Sequence, residues 1–323
     1  MYVQKCTTTK KHEARGYDMK KKKIVMFGSY VADLTGIAEH LPKAAETVFG
    51  DEFKIGPGGK GSNQAVAAHR AGADITIVTK IGRDVFGQLA TDFYRKENIN
   101  TEYVLVDEEK GTGVALICVD QQTGQNQILV IPGACTNFTQ SDIDKIRVVL
   151  QDADILLAQF EVNMEALAQV IGIAESAGVM VVLNPAPARE ISLETLQKVD
   201  IITPNEVEAE ALTGVAVPDE AGAKAAADVF HSWGIPSVII TMGKQGVFVS
   251  TVEGTRMVPA RLVEAVDTTG AGDAFNGGFV TGISEGMDLF AAAEFGNMVA
   301  SLSVQKFGTA PSMPLREEID KLV

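Results

Sequence analysis

The sequence contains few of the residues that build metal centres and disulfide frameworks. Among 323 residues there are three cysteines and four histidines, and only 6% are aromatic. The cysteines, Cys6, Cys118 and Cys135, are far apart and odd in number, which predicts reduced thiols and a cytoplasmic protein. The scattered histidines provide no zinc site. No apolar run approaches the roughly 20 residues of a membrane helix, so no membrane partner is expected.

Basic residues are scarce outside the first 23 positions. The net charge is −14, and residues 1–23 hold eight Lys or Arg against two Asp or Glu. The other 300 residues therefore hold 20 basic and 40 acidic side chains. Because such an acidic surface repels a phosphate backbone, the composition argues against a nucleic-acid partner. With 46% hydrophobic and 22% charged residues, the chain has the composition of a globular protein.

Residues 1–23 are polar and basic and have no apolar segment of the kind found in a secretory signal. We predict a flexible basic leader here, with one folded domain over residues 24–323. Residues added by cloning, or an upstream start codon with Met19 as the real start, are alternative origins of the leader.

Downstream of the leader, short apolar runs alternate with segments of helical periodicity. Strands are predicted at 23–28, 74–79, 155–158, 179–183, 201–203, 237–241 and 261–266. Helices are predicted at 84–97, 164–177, 221–233, 272–284 and 289–303. This alternation predicts a doubly wound α/β fold, in which a mostly parallel sheet carries helices on both faces.

Two stretches, about 34–58 and 112–132, lack helical periodicity and are rich in strand-forming residues. In the second, the polar turn Asp120–Gln125 separates two strand-like runs, which indicates a hairpin. We predict that both stretches form a small β lid inserted into the α/β body, where it would cover a site.

The segment from Asp267 to Gly278 (DTTGAGDAFNGG) is the strongest chemical motif. Gly270 and Gly272 would let the backbone turn tightly and expose amides at a helix N-terminus, where anionic oxygens bind. Inside such a ring of donors, Asp273 is best explained as a base that takes a hydroxyl proton while a phosphoryl group arrives. The alternative is an Asp that caps the helix after a glycine-rich turn.

A second glycine-rich segment runs from Gly56 to Ala68 (GPGGKGSNQAVAA). It differs from a Walker A loop, because Gly61 stands where that loop has Ser or Thr after the lysine. Its glycines would permit close approach to a small polar ligand at the start of a helix. Lys60 and Asn63 lie one turn apart and offer donors to hydroxyl groups. A glycine-rich loop with a helix cap is the alternative, and it leaves these polar residues unexplained.

The segment from Thr203 to Glu210 (TPNEVEAE) has two explanations. Asn205 can cap a helix whose first turns carry three acids, which complements the helix dipole. Alternatively, Asn205 and Glu208 share a face and hold Mg²⁺ through water, since this ion keeps much of its hydration shell.

Two isolated carboxylates follow predicted strands. Asp33 comes shortly after the first strand, and Glu161 follows the run 155–160. Ligands of parallel sheets bind beyond the carboxyl ends of the strands, and a carboxylate accepts several hydroxyl hydrogen bonds. Together the two side chains suit a polyhydroxylated ligand, whereas either one alone would be an ordinary loop acid.

Taken together, these segments resemble the ribokinase, or PfkB, family of carbohydrate kinases from about Lys23 to the C-terminus. Residues 58–64 are similar to the family's N-terminal signature, and residues 267–277 to its C-terminal signature. The two lie in order, about 210 residues apart, which makes the resemblance highly specific. Residues 184–189 (NPAPAR) and 202–206 (ITPNE) resemble the ribokinase branch of the family.

The resemblance implies an enzyme that transfers the γ-phosphate of ATP to the primary hydroxyl of a pentose, and a lid that mediates a homodimer. It implies that Asp273 is the base and that the amides of Gly270, Ala271 and Gly272 form the anion hole. The sugar-binding residues would be Asp33, Gly59, Lys60, Asn63 and Glu161, with Asp273. Mg-nucleotide would be bound through Asn205, Glu208, Thr241, Gly243, Gly246 and Asn297.

The resemblance also implies a K⁺ ion beside the anion hole, where it would orient the amides. The matching ligands are the Asp267 carboxylate, the Thr269 carbonyl, carbonyls near Ser303, Lys306 and Gly308, and Ser312.

One position departs from the family pattern. Ribokinases typically carry Asn two residues before the sugar-binding Asp, whereas this chain has Val31. An unpaired polar group facing Val31 would cost about 1–3 kcal/mol. D-ribose is the predicted substrate and 2-deoxyribose the alternative, with another pentose or a small hexose also open. A non-catalytic sugar sensor of the same fold, or a nucleoside kinase, are the rival functions.

Overall fold

A nine-stranded sheet forms the centre of the molecule, and a separate four-stranded sheet projects from it. The structure is a computed structural model that describes residues 21–322. In chain order the strands are β1 (Lys23–Phe27), β2 (Val31–Ala38), β3 (Gly50–Gly58), β4 (Asp74–Gly82), β5 (Val104–Asp107), β6 (Gly113–Asp120), β7 (Asn126–Ile131), β8 (Ile155–Gln159), β9 (Met180–Asn184), β10 (Ile201–Ile202), β11 (Ser237–Thr241), β12 (Val247–Thr251) and β13 (Gly254–Val258).

The α-helices connect and cover these strands. They are α1 (Lys60–Arg70), α2 (Val85–Lys96), α3 (Gln140–Leu150), α4 (Met164–Ser176), α5 (Leu193–Leu196), α6 (Glu206–Thr213), α7 (Glu220–Ser232), α8 (Ala271–Ser284), α9 (Leu289–Ser303) and α10 (Arg316–Ile319). Within the described residues, no helix is long and apolar enough to cross a membrane.

The large sheet has the order β13-β12-β11-β10-β9-β8-β1-β4-β5. Every pair from β5 to β11 is parallel, and β12 and β13 add an antiparallel edge. Side chains of a buried strand alternate between faces, so β1 contributes Ile24 and Met26 to one core and Val25 and Phe27 to the other. Helices α1, α2, α8 and α9 pack on the first face, and α3, α4 and α7 on the second. The predicted doubly wound α/β fold is confirmed.

The small sheet has the order β3-β2-β6-β7, and its strands come from the two stretches that break the α/β alternation. It is the predicted lid. Alternate residues of a strand lie on the same side of a sheet, so Val31, Asp33 and Thr35 share one face of β2. Residues paired directly across strands also share a side. The opposite face carries the exposed apolar side chains of Phe53, Ile55, Leu116, Leu129 and Ile131.

Both connections between the lid hairpin and the body are tied to one buried lysine. Lys80 Nζ forms an ion pair with Asp107 (3.2 Å), at the end of the strand before the lid. It also donates to the carbonyl of Asn137 (2.7 Å), after the lid, and to Asp142 Oδ2 (2.8 Å). The lid is therefore attached at a rigid base.

Residues 1–20 of the predicted leader lie outside the described residues. Lys23 begins β1, as predicted for the first strand, and Lys21 pairs with Glu285 (2.9 Å). The strand predicted at 261–266 is wrong. Pro259 follows the edge strand β13, and residues 261–266 are largely exposed and have no neighbouring strand to pair with.

Candidate active site

The N-terminus of α8 forms one wall of the site. Gly270 precedes it with φ of 79°, a left-handed conformation that glycine adopts without strain. The first turn of a helix leaves its amides without intrahelical acceptors. Of the three amides predicted to bind anions, that of Ala271 donates to the Thr268 carbonyl (3.2 Å) in this structure. A Cβ atom placed on Gly272 would meet no heavy atom within 4 Å, so the space in front of this turn is open.

Asp273 lies in this first turn and is buried, with 5% of its surface exposed. Its Oδ2 accepts from Asn63 Nδ2 (2.9 Å) and its Oδ1 accepts from Gln64 Nε2 (3.0 Å). The alternative in which Asp273 caps the helix is wrong, because Gly270 is the N-cap residue and no side chain caps α8. The carboxylate is instead held by two residues of α1, some 210 positions earlier in the chain.

A glycine explains why α1 and α8 come this close. A Cβ atom on Gly277 would lie 2.7 Å from the Gln64 carbonyl oxygen and 2.8 Å from the Ala68 nitrogen. Any larger residue would push the helices apart and remove Asn63 and Gln64 from Asp273. The sequence Asp-Ala-Phe-Asn-Gly in α8 thus combines the carboxylate with the contact that positions it.

The start of α1 brings the other predicted sugar-binding residues together. Gly59 has φ of 86°, and a Cβ atom there would lie 2.7 Å from the Val31 nitrogen. The Lys60 amide donates to Glu161 Oε2 (2.9 Å), which also accepts from the hydroxyl of Ser29. The turn after β1, the start of α1 and the loop after β8 are therefore linked through one carboxylate.

Asp33 lies within lid strand β2 rather than in a loop after β1. Its Oδ2 accepts from Thr309 Oγ1 (3.1 Å), which joins the lid to the segment after α9. Burial is the main cause that raises the pKa of Asp33 to about 6, with a further contribution from the charges of Glu161 and Asp273 and an opposing one from the Thr309 hydroxyl. The charge of Asp33 thus changes near pH 6.

Asp273 opens onto a cavity of about 150 Å³. Its lining includes Lys60, Asn184, Thr203, Asn205, Glu208, Thr241, Gly270, Ala271, Gly272 and Asn276. Desolvation alone would lower the pKa of Lys60, but the carboxylates of Asp273, Glu161 and Glu208 outweigh it, and the pKa is raised. Lys60 is therefore a firmly charged cation in a site that is otherwise acidic.

Asn205 and Glu208 form a capping box at the start of α6. Asn205 Oδ1 accepts from the Glu208 amide (2.8 Å), and Glu208 Oε2 accepts from the Asn205 amide (2.9 Å). The predicted helix cap is thus confirmed. Both side chains also line the cavity. Burial raises the pKa of Glu208, with Lys60 acting in the opposite direction. An oxygen-rich donor set at this place fits an ion that is bound through its own water.

The structure brings only some of the residues predicted for the nucleotide to this cavity. Thr241 lines it and pairs with Asn205 in a short parallel bridge. Gly243 and Gly246 follow in the next turn, and a Cβ atom on Gly246 would lie 2.7 Å from the Ala260 nitrogen. Asn297 does not line the cavity. Its Nδ2 donates to the carbonyls of Val258 (3.4 Å) and Pro259 (3.2 Å).

The six residues predicted to bind a monovalent cation lie on two segments that the structure joins. Asp267 accepts from the amides of Thr269 (2.9 Å) and Gly308 (3.0 Å), and its own amide donates to Val304. Ser303 and Ser312, both buried, form a hydrogen bond (2.9 Å). Lys306 lies in the connecting loop, where its side chain pairs with Glu318 (2.7 Å).

This donor set fits a K⁺ ion better than a transition metal. In residues 21–322 no group of three His, Cys, Asp or Glu side chains could hold a metal ion. The available donors here are carbonyl, hydroxyl and carboxylate oxygens, which suit hard cations.

Sequence reasoning missed four polar residues behind Asp273. Gln159 and Asn184 are the last residues of the apolar strands β8 and β9, and Thr203 follows β10. Asn276 lies one turn after Gly272 on α8. The signal was available, because polar residues at the carboxyl ends of strands had already singled out Glu161.

The fold and the site define a phosphotransferase-type α/β enzyme: a doubly wound sheet, a β lid, and a carboxylate at a helix N-terminus beside a lysine. The family model described as "pfkB family carbohydrate kinase" matches residues 21–316. The chain belongs to the PfkB family and is a ribokinase-like carbohydrate kinase.

Similar proteins include ribokinases and deoxyribokinases. The chain is 41% identical to a ribokinase of Haemophilus influenzae over 92% of its own length and 97% of the relative's. It is 37% identical to a deoxyribokinase of Salmonella typhi over 92% and 97%. Among solved structures, Arabidopsis thaliana ribokinase complexed with ribose and ATP superimposes with a TM-score of 0.86 at 30% identity, covering 94% of this chain and 99% of that one.

Proposed function

We propose that the protein transfers the γ-phosphoryl group of ATP to the primary 5-hydroxyl of a pentose, with D-ribose as the favoured substrate. The observation that carries this proposal is the position of the Asp273 carboxylate. It lies within the first turn of α8, opposite Lys60, in a cavity that extends to Thr241 and Asn205. A proton acceptor and a set of anion-binding groups therefore meet at one point.

In the proposed reaction, Asp273 accepts the proton of the 5-hydroxyl while that oxygen bonds to the γ-phosphorus. The bond from this phosphorus to the bridging oxygen breaks, and ADP leaves with the electron pair. The amides at the start of α8 and the Lys60 ammonium stabilise the negative charge of the transferring group. Asp33, Gly59, Lys60, Asn63 and Glu161 hold the sugar. Buried Asn63 Oδ1, which has no partner within the described residues, is available to accept a hydroxyl.

Two cations belong to this proposal. Mg²⁺ would be held through water near Asn205 and Glu208, where it neutralises charge on the nucleotide phosphates. K⁺ would be held by the oxygens of Asp267, Thr269, Ser303, Lys306, Gly308 and Ser312, where it fixes the loop that leads into α8. Gly243, Gly246 and Asn297 would border the nucleotide, with Gly246 and Asn297 both contacting the segment after β13.

Initial rates on ribose, 2-deoxyribose, fructose and adenosine, with and without K⁺, test the proposed function. Release of ADP with a pentose distinguishes the kinase from a non-catalytic sugar sensor. Faster turnover of adenosine than of either pentose would instead indicate a nucleoside kinase. ADP release that requires no sugar would contradict the proposal.

Val31 is expected to set the discrimination between the two pentoses. It is buried and shares a face of β2 with Asp33, so an Asn at this position can reach the same sugar. Val31→Asn is expected to raise the ratio of kcat/KM for ribose over 2-deoxyribose by about tenfold, because a site that hydrogen-bonds a hydroxyl rejects the analogue that lacks it. This ratio is measured for the unmodified protein and for Val31→Asn, with the conservative Val31→Ile as control. An unchanged ratio would remove Val31 from the specificity site.

Sugar binding is expected to weaken in acid. Since the pKa of Asp33 is raised to about 6, the carboxyl becomes protonated as the pH falls through that value and loses acceptor capacity. The KM for the sugar is expected to be constant above pH 7 and to rise roughly tenfold by one unit below the pKa. Asp33→Asn should show a high KM at every pH between 5 and 8. A KM of the unmodified protein that does not change over this range would refute the role of Asp33.

We also propose a homodimer formed through the outer face of the lid. This face, which lies opposite to Asp33, is apolar and exposed; its side chains are Phe53, Ile55, Leu116, Leu129 and Ile131. Large contiguous apolar patches are rare on the surface of monomers. Sedimentation velocity at two concentrations measures the oligomeric state, and a monomer at micromolar concentration would exclude this dimer.

The two described cysteines are both free thiols, in keeping with the cytoplasmic location that we propose.

A further inference from the structure

Behind Asp273 lies a closed ring of buried hydrogen bonds. Gln64 Nε2 donates to Asp273 Oδ1 (3.0 Å) and to Asn184 Oδ1 (3.0 Å). Asn184 Nδ2 donates to the Thr203 carbonyl (2.7 Å), and Thr203 Oγ1 donates to Asn276 Oδ1 (2.6 Å). Asn276 Nδ2 then donates to the carbonyl of Gly272 (2.8 Å), the residue next to Asp273. The ring therefore begins and ends at the start of α8.

The chemistry of the partners fixes the direction of each amide. A carboxylate only accepts, so the atom of Gln64 that faces Asp273 must be nitrogen. A main-chain carbonyl also only accepts, so Asn184 must turn its nitrogen to Thr203 and its oxygen to Gln64. Gln64 is then left with its oxygen, which accepts from Gln159 Nε2 (2.6 Å). Rotation of the Gln64 amide by 180° would break three hydrogen bonds.

These polar groups are not explained by packing. Gln64, Gln159, Asn184, Thr203 and Asn276 are at most 5% exposed, and apolar side chains of similar shape would avoid the cost of burying them. The side-chain oxygen and nitrogen atoms of Gln64, Asn184 and Asn276 are all paired, and buried polar groups that are fully paired are held rigidly. Gln159 Oε1 alone in this network has no partner within the described residues. We propose that Gln64 is a positioning residue, which holds the Asp273 carboxylate in fixed orientation to the first turn of α8 and is itself held by Gln159 and Asn184. This inference rests on the proposed function, because it concerns the base of that reaction.

The test compares Gln64→Met with a matched control in two backgrounds. Methionine keeps the length of glutamine and loses its donors. Since Gln64 bonds to the proposed base and is not among the residues proposed to hold the sugar, Gln64→Met is expected to lower kcat by about 10- to 100-fold while the sugar KM stays within about twofold. In the Asp273→Asn background the same change should cause no further loss, since the group through which Gln64 acts is gone.

Thr281→Val is the control, because Thr281 is also buried on α8 and its hydroxyl also faces α1, where the Ala68 carbonyl lies at 3.4 Å. The nearer acceptor of this hydroxyl is the Gly277 carbonyl of α8 itself (2.7 Å). It is expected to leave kcat unchanged. A kcat of Gln64→Met within twofold of the unmodified protein, or an equal fold loss in both backgrounds, would overturn the proposal.

Two further measurements keep the outcome decisive. If Gln64→Met does not fold, Gln159→Met removes only the donor that orients Gln64, and kcat should fall by about 3- to 10-fold. An unchanged kcat of Gln159→Met would count against the proposal.

A crystal structure of the Gln64→Met variant, or of Gln159→Met if only that variant folds, reports the orientation of the Asp273 carboxylate independently of turnover. A carboxylate that has rotated supports the proposal, and one that has not moved overturns it. Failure of the proposed function would appear separately, as an unmodified protein that phosphorylates no sugar.

Discussion

Asp273→Asn is expected to lower kcat by about 10²- to 10⁴-fold, the usual contribution of a general base. An amide cannot accept the proton of the sugar hydroxyl. It also sets an N–H group against one of the two donors, Asn63 Nδ2 and Gln64 Nε2, that hold the carboxylate. Because the cavity is otherwise intact, sugar and nucleotide should still bind.

The measurements are kcat with ribose and ATP, and calorimetric binding of each ligand. Asp288→Asn is the matched control, since Asp288 is an exposed carboxylate that caps α9 and asparagine is an equally good cap. It should behave as the unmodified protein. Near-normal turnover of Asp273→Asn would show that another group is the base. Loss of sugar or nucleotide binding would show that Asp273 is needed to bind that ligand and does not act in the chemical step alone.

Gly272→Ala is expected to make the protein more stable and much less active. Gly272 is the second residue of α8, and alanine in a helix is favoured over glycine by about 0.5–1 kcal/mol. A Cβ atom at this position meets nothing within 4 Å, so no strain offsets the gain in the free energy of unfolding. The same methyl group would project into the space proposed for the transferring phosphate. A displacement of about 1 Å there can cost about 10²-fold in rate.

Thermal unfolding and kcat are measured on the same preparation. Gly172→Ala serves as the control, because Gly172 also lies in a helix, α4, and a Cβ atom there also meets nothing within 4 Å. Both variants should unfold at a higher temperature, and only Gly272→Ala should lose activity. Full turnover of Gly272→Ala would mean that the phosphate binds elsewhere.

The sequence predicted local features well because they depend on neighbouring residues. Strand β11 and helix α9 have the predicted bounds, 237–241 and 289–303, and the lid hairpin lies where its polar turn indicated. The strand predicted at 261–266 is wrong because a strand must pair with a neighbouring strand, and the sheet ends at β13. A local sequence pattern cannot show whether such a neighbour exists. Asn205 and Glu208 show a further limit. A capping box and a cavity lining require the same residue types at the same spacing, and one pair serves as both.

The residues around Asp273 were only partly accessible to sequence reasoning. Lys60 and Asn63 were found because glycines and polar groups cluster at the start of one helix. Gln64 stood in the same motif, but its partners, Gln159 and Asn184, are about 95 and 120 residues away. Such contacts depend on which helix crosses which, and here a single glycine, Gly277, sets how closely α1 and α8 approach.

The distance along the chain between Asp273 and its partners also has a consequence for synthesis. Asn63 and Gln64 leave the ribosome more than 200 residues before the carboxylate that they hold. Until α8 emerges, the growing polypeptide has lid strands, Lys60 and Glu208, but it has neither the proposed proton acceptor nor the helix end that is proposed to face the phosphate. If Asp273 is the base, as proposed, a nascent chain cannot transfer phosphate from ATP through this centre until the last sixth of the protein, from α8 onward, docks onto α1.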